Sequence, residues 1–308
     1  LPDGSRLSAL MAVASRPVIS IRRHRYVDLT IDDLVAMGGL KEEVAAFLKA
    51  AVRARKNIVI GGAMNAGKTT LVRALAAEIP PRERLVTIEQ AFELGLDQAP
   101  DRHPDLVALE ARPPNSEGHG AVSMARLVRR ALRMNADRVI VGEVLGDEVL
   151  PMLNAMSQGR AGSMCTIHAD SSIGVFHRLA SYAIQAPERL PVESTNLLIA
   201  GAVDFAVFVE IAEKAGPSGV LRAGKARLSN AGVRAQKRRF EGVSRHRFVS
   251  SIREVVGAEG LQVISNEVFR ATEDGEVTQS SPLRSNTLHQ LAEHGYSPHR
   301  SPFEASRW

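Results

Sequence analysis

Apolar and polar positions along this chain follow two periods that take turns. Leu40, Val44, Phe47, Leu48 and Val52 recur at helical spacing and form one apolar stripe, which ends in the basic run 53–56. Ahead of it, Thr30 and Asp33 have the spacing of a capping box for a short helix, and Gly38-Gly39 stops that helix. Beyond residue 56, short β-branched runs alternate with helical ones. Strands are predicted at 57–60, 85–89, 106–110, 138–141, 163–167 and 205–211, and helices at 71–77, 124–134, 147–156, 173–184 and after Pro191. Regular alternation without internal repeats predicts a doubly wound α/β domain around a mainly parallel sheet. Two further strand-like runs, 247–256 and 261–269, flank a turn at 257–260 and read as a closing hairpin over 247–270. The run 18–21 is β-like, so residues 1–27 read as the end of a β-containing N-terminal domain, joined by a helical linker (28–56) to a core over 57–211.

Composition sharpens this picture in three places. With 308 residues, 44% hydrophobic but only 4% aromatic, the packing must fall to Val, Ile, Leu and Ala, as suits strands covered by helices on both faces. The single Cys165 excludes an intramolecular disulfide and fits a reducing compartment. No apolar run approaches the ~18 uncharged residues that a membrane helix requires. The first residues carry neither an initiator Met nor a signal-peptide pattern, and the chain is expected to begin inside a larger protein.

The net charge of +5 is concentrated: between Arg222 and Arg247 stand nine Lys or Arg and one Glu. All of this stretch but Arg247 falls in 212–246, which has almost no large apolar residues and reads as a mobile surface insertion. Its expected role is to dock on an anionic surface, either a membrane or the acidic tail of a membrane platform protein. The final stretch, 271–308, is rich in Ser, Pro, His and charge and is expected to be disordered.

The chemistry concentrates where the strand 57–60 runs into Gly61-Gly62 and the spacing Gly62-x4-Gly67-Lys68-Thr69 opens a helix. Glycines let backbone N–H groups turn inward around a phosphate chain, and the helix N-terminus adds its positive dipole end. Lys68 would then reach the β- and γ-phosphates, the Thr69 hydroxyl would ligate Mg²⁺, and Gly62, Ala63, Asn65, Ala66, Gly67 and Thr70 would line the cradle. A phosphate loop hydrolyses nothing alone. Carboxylates at the ends of hydrophobic strands are available in Arg138-Val139-Ile140-Val141-Gly142-Glu143 and in Thr87-Ile88-Glu89-Gln90-Ala91-Phe92-Glu93, and a histidine in Thr166-Ile167-His168.

Together these four blocks resemble those of the type II/type IV secretion ATPases, with most similarity to the branch of the Flp (tight adherence) pilus assembly ATPases, the CpaF/TadA-like proteins. The resemblance covers 1–211 and resumes at 247–269. It implies a P-loop NTPase (RecA-like) α/β core preceded by part of a small α+β N-terminal domain, binding ATP and Mg²⁺. It also implies roles. Lys68 and Thr69 bind phosphate and Mg²⁺, Glu143 supports the metal, Glu89 lies among the nucleotide contacts, Glu93 activates the attacking water, and His168 approaches the γ-phosphate. Arg22 and Arg23, with Arg6 as a second choice, match the basic residues that the family's N-terminal part brings to nucleotide. Three positions depart from the pattern: Gln90 stands for an aspartate, Leu145 for an arginine and Arg160 for a histidine. The first removes a negative charge near the nucleotide, so slowed hydrolysis is expected.

The resemblance further implies a homo-hexamer working with an inner-membrane platform protein, located in the cytoplasm and peripheral at the membrane face. Two other readings stay open. One is a motor of the same superfamily serving conjugation or DNA uptake, although nucleic-acid binding is not expected where basic residues lack interleaved aromatics. The other is a nucleotide-binding scaffold that does not hydrolyse ATP.

Overall fold

The computed structural model describes residues 5–22, 29–159, 161–214, 221–223, 244–272 and 275–298. Its strands are β1 (Arg6–Leu10), β2 (Val18–Arg22), β3 (Ile58–Gly62), β4 (Leu85–Glu89), β5 (Leu106–Glu110), β6 (Arg138–Val144), β7 (Met164–His168), β8 (Phe205–Lys214), β9 (Leu221–Ala223), β10 (Ser244–Glu259), β11 (Gln262–Ala271) and β12 (Val277–Gln279). Its helices are α1 (Ile31–Ala36), α2 (Glu42–Arg53), α3 (Lys68–Ala76), α4 (Met124–Ala131), α5 (Val149–Ser157), α6 (Gly174–Gln185), α7 (Val192–Ala202) and α8 (Ser285–Ala292).

One ten-stranded sheet carries the order β12-β11-β10-β8-β3-β7-β6-β4-β5, with β9 paired to β8 off this path. The strands from β8 to β5 run parallel, whereas β10, β11 and β12 are added antiparallel beyond β8. The parallel strands therefore end on one edge, where an α/β sheet binds its ligands. Side chains of β3 alternate between the two faces. Ile58 and Ile60 pack with Phe47, Leu48 and Leu75 under α2 and α3, while Val59 packs with Val128, Leu153 and Val175 under α4 to α6. At Gly61 helix α6 comes so close that an added Cβ would lie 2.3 Å from Val175 Cγ2.

The predicted linker is part of this core, because its apolar stripe is buried and Phe47 meets Phe205, Phe269 and Tyr296 edge-on, with centroids 5.0, 5.3 and 5.5 Å apart. Tyr296 also corrects the expected disordered tail. Within 275–298 the chain forms β12 on the sheet edge and α8 against α2, with Leu291 and Tyr296 buried. The apolar residues responsible are few and diluted by Ser, Pro and His, so their signal is thin without the docking face of α2. The closing hairpin is longer than predicted, since β10 begins at Ser244. Of the basic insertion, 215–220 and 224–243 lie outside the described residues. At the other end, β1 and β2 form an antiparallel hairpin on which Leu7, Leu10, Val18, Ile19 and Ile21 are exposed.

Two buried polar side chains tie the sheet to its helices. Asn57 donates to Met156 O and Ala202 O and accepts from the N–H groups of Gly162 and Ser163. Arg138, fully buried, forms a two-pronged pair with Glu83 (2.7 and 2.9 Å) and donates to Val52 O. Gly162, at φ 87, lies over this guanidinium, and a Cβ there would be 2.6 Å from Arg138 Nη1. Gly162→Ala is therefore expected to lower unfolding free energy by about 2 kcal/mol, combining left-handed strain with the clash. A urea midpoint equal to that of the unsubstituted chain would contradict this.

Candidate functional site

The loop between β3 and α3 owes its shape to a few backbone positions. Asn65 has φ 62 and Gly67 has φ 104, left-handed conformations that reverse the chain, and the N–H of Ala66 closes the turn on Ala63 O at 3.2 Å. At Gly62 a Cβ would lie 2.5 Å from Val209 O, so only glycine fits against β8. Helix α3 begins directly at Lys68, so its first N–H groups, which have no carbonyl of the helix itself to bond, lie at the loop.

Lys68 is buried at 6% exposure, and its Nζ donates to Gly62 O (3.1 Å) and Ala63 O (3.0 Å) and meets His168 Nδ1 at 3.0 Å. His168 ends β7. Its Nε2 lies 2.8 Å from Glu143 Oε1. An ammonium can only donate, so Nδ1 accepts and the ring proton sits on Nε2, directed at the Glu143 carboxylate. Glu143 reaches this place because the register of β6 on β7 shifts between Val141 and Val144. That irregularity re-aims a side chain at a strand end. Thr166 Oγ1 donates to Gly142 O across the same two strands at 2.6 Å.

The loop after β4 is organised by Glu89. Its Oε2 accepts from the N–H groups of Glu93 (2.7 Å) and Leu94 (2.8 Å), while Glu110 accepts from Phe92 N. Burial pushes the Glu89 carboxyl above its usual range, and those two N–H donors act against the rise. Arg73 of α3, held below its usual range by burial, lies near Glu89 and donates to Glu93 O. Glu89 is 3% exposed and takes no place in the cavity wall. In the structure its carboxylate holds the Glu93 loop.

These parts surround one cavity of about 770 Å³. It is lined by Asn65, Lys68, Thr69, Thr70, Glu93, Glu143 and His168, and also by Leu34 of α1, Met37 and Leu40 of the turn between α1 and α2, and Arg245, His246, Arg247 and Phe248 of β10. A cavity of this size suits a small organic ligand. Gly62 and Ala63 take part through the carbonyls that hold Lys68, and Gln90 is exposed at the end of β4. The side chain of Arg22, and all of Arg23 and Arg160, lie outside the described residues. The β10 arginines were missed in the sequence, where they merge with the charges of the preceding insertion. The alternation Arg245-His246-Arg247-Phe248 was the available signal.

A family model described as "Type II/IV secretion system protein" matches residues 4–285. The chain is 40% identical over 166 residues to the type IV secretion system protein PtlH of Bordetella pertussis, a match covering 53% of this chain and 48% of that protein. It is 33% identical over 211 residues to the conjugal transfer protein TrbB of Rhizobium radiobacter, covering 67% of this chain and 60% of that one. Among solved structures, the X-ray structure of the Legionella pneumophila ATPase DotB aligns with a TM-score of 0.50 at 19% identity, over 67% of this chain and 53% of that one. That likeness is one of fold alone. The chain spans about half the length of the relatives it matches.

Proposed function

The chain belongs to the type II/IV secretion system protein family, and from that premise we propose that it binds ATP with Mg²⁺ in this cavity. It hydrolyses ATP to ADP and phosphate as the motor of a secretion or pilus-assembly machine. The observation that carries the reading is the convergence of Lys68, His168 and Glu143 in one hydrogen-bonded chain at the N-terminus of α3. Phosphoryl transfer needs positioning and charge neutralisation more than covalent help. Lys68 exchanges its loop carbonyls and His168 for phosphate oxygens, which leaves His168 facing the γ-phosphate. Glu93, on the loop held by Glu89, orients the attacking water. The residues present fit Mg²⁺, which takes one or two protein oxygens together with substrate phosphates. Thr69 and Glu143 would supply them on the same wall, and the ion would neutralise phosphate charge.

Phosphate release from ATP and Mg²⁺, compared among the unaltered chain, Lys68→Ala and Glu93→Ala, tests this. Equal rates in all three would leave only the non-hydrolysing scaffold. A second reading, a motor serving conjugation, is favoured by the similarity to TrbB.

Family membership supports a ring assembly as part of this proposal. Six copies form a ring whose closure on ATP brings the N-terminal arginines toward nucleotide, at the cytoplasmic face beside an inner-membrane platform protein. Light scattering with a non-hydrolysable ATP analogue is expected to show hexamer, and monomer alone would count against the ring. Among the described residues no helix is long and apolar enough to cross a membrane. The basic charges of 222–239 would serve peripheral attachment. Removing 214–243 is expected to weaken salt-sensitive binding to anionic vesicles while phosphate release persists.

A further inference from the structure

Strand β10 lines the same cavity as the carboxylates, and one of its side chains grips the phosphate loop. Arg247 Nε donates to Asn65 O at 2.8 Å. Its methylene stem lies along the loop, since a Cβ on Gly67 would be 3.5 Å from Arg247 Cδ. The side chain thus touches both loop residues with left-handed backbone, Asn65 and Gly67. Together with Ala63 it locks one peptide plane at both ends, with the Asn65 carbonyl on Arg247 and the Ala66 N–H on Ala63 O.

The strand segment that presents Arg247 is itself fixed. Val249 N donates to Gly39 O at 3.1 Å, Gly38 packs on His246, and His246 stacks on Phe248 with ring planes 13° apart. The linker turn therefore bonds to β10 at Val249 and packs against it at His246, one on each side of Arg247.

We propose that Arg247 is a positioning residue for nucleotide binding, which rests on the reading of the cavity as an ATP site. It holds the phosphate loop in its binding conformation before nucleotide arrives and takes no part in bond cleavage. A loop already shaped to its ligand loses less conformational freedom on binding. Because the loop cradles phosphates common to ATP and ADP, the effect should reach both nucleotides equally.

The test is equilibrium binding of fluorescent ATP and ADP analogues to the full chain, with phosphate release at saturating ATP. Arg247→Ala is expected to raise Kd for both nucleotides about tenfold, the scale of one hydrogen bond to a charged group. It is expected to lower kcat by less than about threefold, the split that marks binding rather than transition-state loss. Arg247→Lys restores part of the affinity, because an ammonium still offers a donor to the same carbonyl. Should the Ala variant not fold, Arg247→Met, which keeps an unbranched stem but offers no donor to Asn65 O, carries the test and is expected to raise Kd for both nucleotides to a similar degree, an unchanged Kd overturning the proposal. Unchanged Kd in Arg247→Ala overturns the proposal, and so does a fall in kcat at unchanged Kd. Absence of nucleotide binding by the unaltered chain, with Lys68→Ala indistinguishable from it, would instead remove the ATP site itself.

Discussion

Lys68→Ala is expected to abolish measurable ATP binding and to lower phosphate release by about a thousandfold, the scale of losing a pre-placed charge partner for phosphate. In the structure its Nζ is shared among Gly62 O, Ala63 O and His168 Nδ1. These are neutral acceptors, readily exchanged for charged phosphate oxygens, which make stronger hydrogen bonds. Without the ammonium, the carboxylates of Glu93 and Glu143 still line the same cavity, and a polyanionic ligand would meet like charge at short range in a partly buried place. The alanine also frees His168 to turn. The fold should persist, because the lost bonds end on two loop carbonyls and one histidine ring, and no apolar core side chain is removed. Calorimetric titration with ATP checks the binding, and circular dichroism checks that the variant is folded. Heat of binding equal to that of the unaltered chain would end the assignment of Lys68.

Much of this architecture was legible because its signals are local. The stripe Leu40, Val44, Phe47, Leu48 and Val52 announced α2, and all five are buried. The glycine spacing around Lys68 announced a strand, turn and helix, which are β3, the loop and α3. What escaped depends on contacts between distant segments. Strand order cannot be read from alternation, and it is this order that sets β10 beside β8 and brings Arg247 over Asn65, 182 residues away in sequence. Gly38-Gly39 read correctly as a helix stop, yet the carbonyl of Gly39 also ties the linker to Val249. Tyr296 looked like part of a polar tail until the Phe47 face was available to receive it. Glu89 illustrates the limit within a motif. The resemblance implies that it lies among the nucleotide contacts, and in the structure its carboxylate, near Arg73 of α3, holds the loop to Leu94 through the N–H groups of Glu93 and Leu94. A strand-end carboxylate can face the ligand or shape the loop that does, and only the packing of Arg73 and Gly142 around Glu89 decides which.

Glu143→Gln should separate binding from chemistry. Glutamine keeps the length and planar end of glutamate, and its carbonyl oxygen can still accept from His168 Nε2, 2.8 Å from Glu143 Oε1. The Lys68–His168 contact at 3.0 Å is untouched. Removed are one negative charge and, with it, the proposed support for Mg²⁺ beside Thr69. ATP affinity is therefore expected to stay within about threefold, because Lys68 and the loop N–H groups carry it. Turnover is expected to fall on the order of a hundredfold or more, since the charge acts where the transition state spreads its own. Loss in kcat with Kd held is opposite to the pattern for Arg247→Ala and distinct from Lys68→Ala, which loses both. Single-turnover phosphate release with pre-bound ATP gives the cleanest reading, because it excludes slow nucleotide exchange. Normal release in Glu143→Gln would mean that the carboxylate only orients His168. A variant that no longer bound ATP would mean that Glu143 shapes the cradle rather than the reaction.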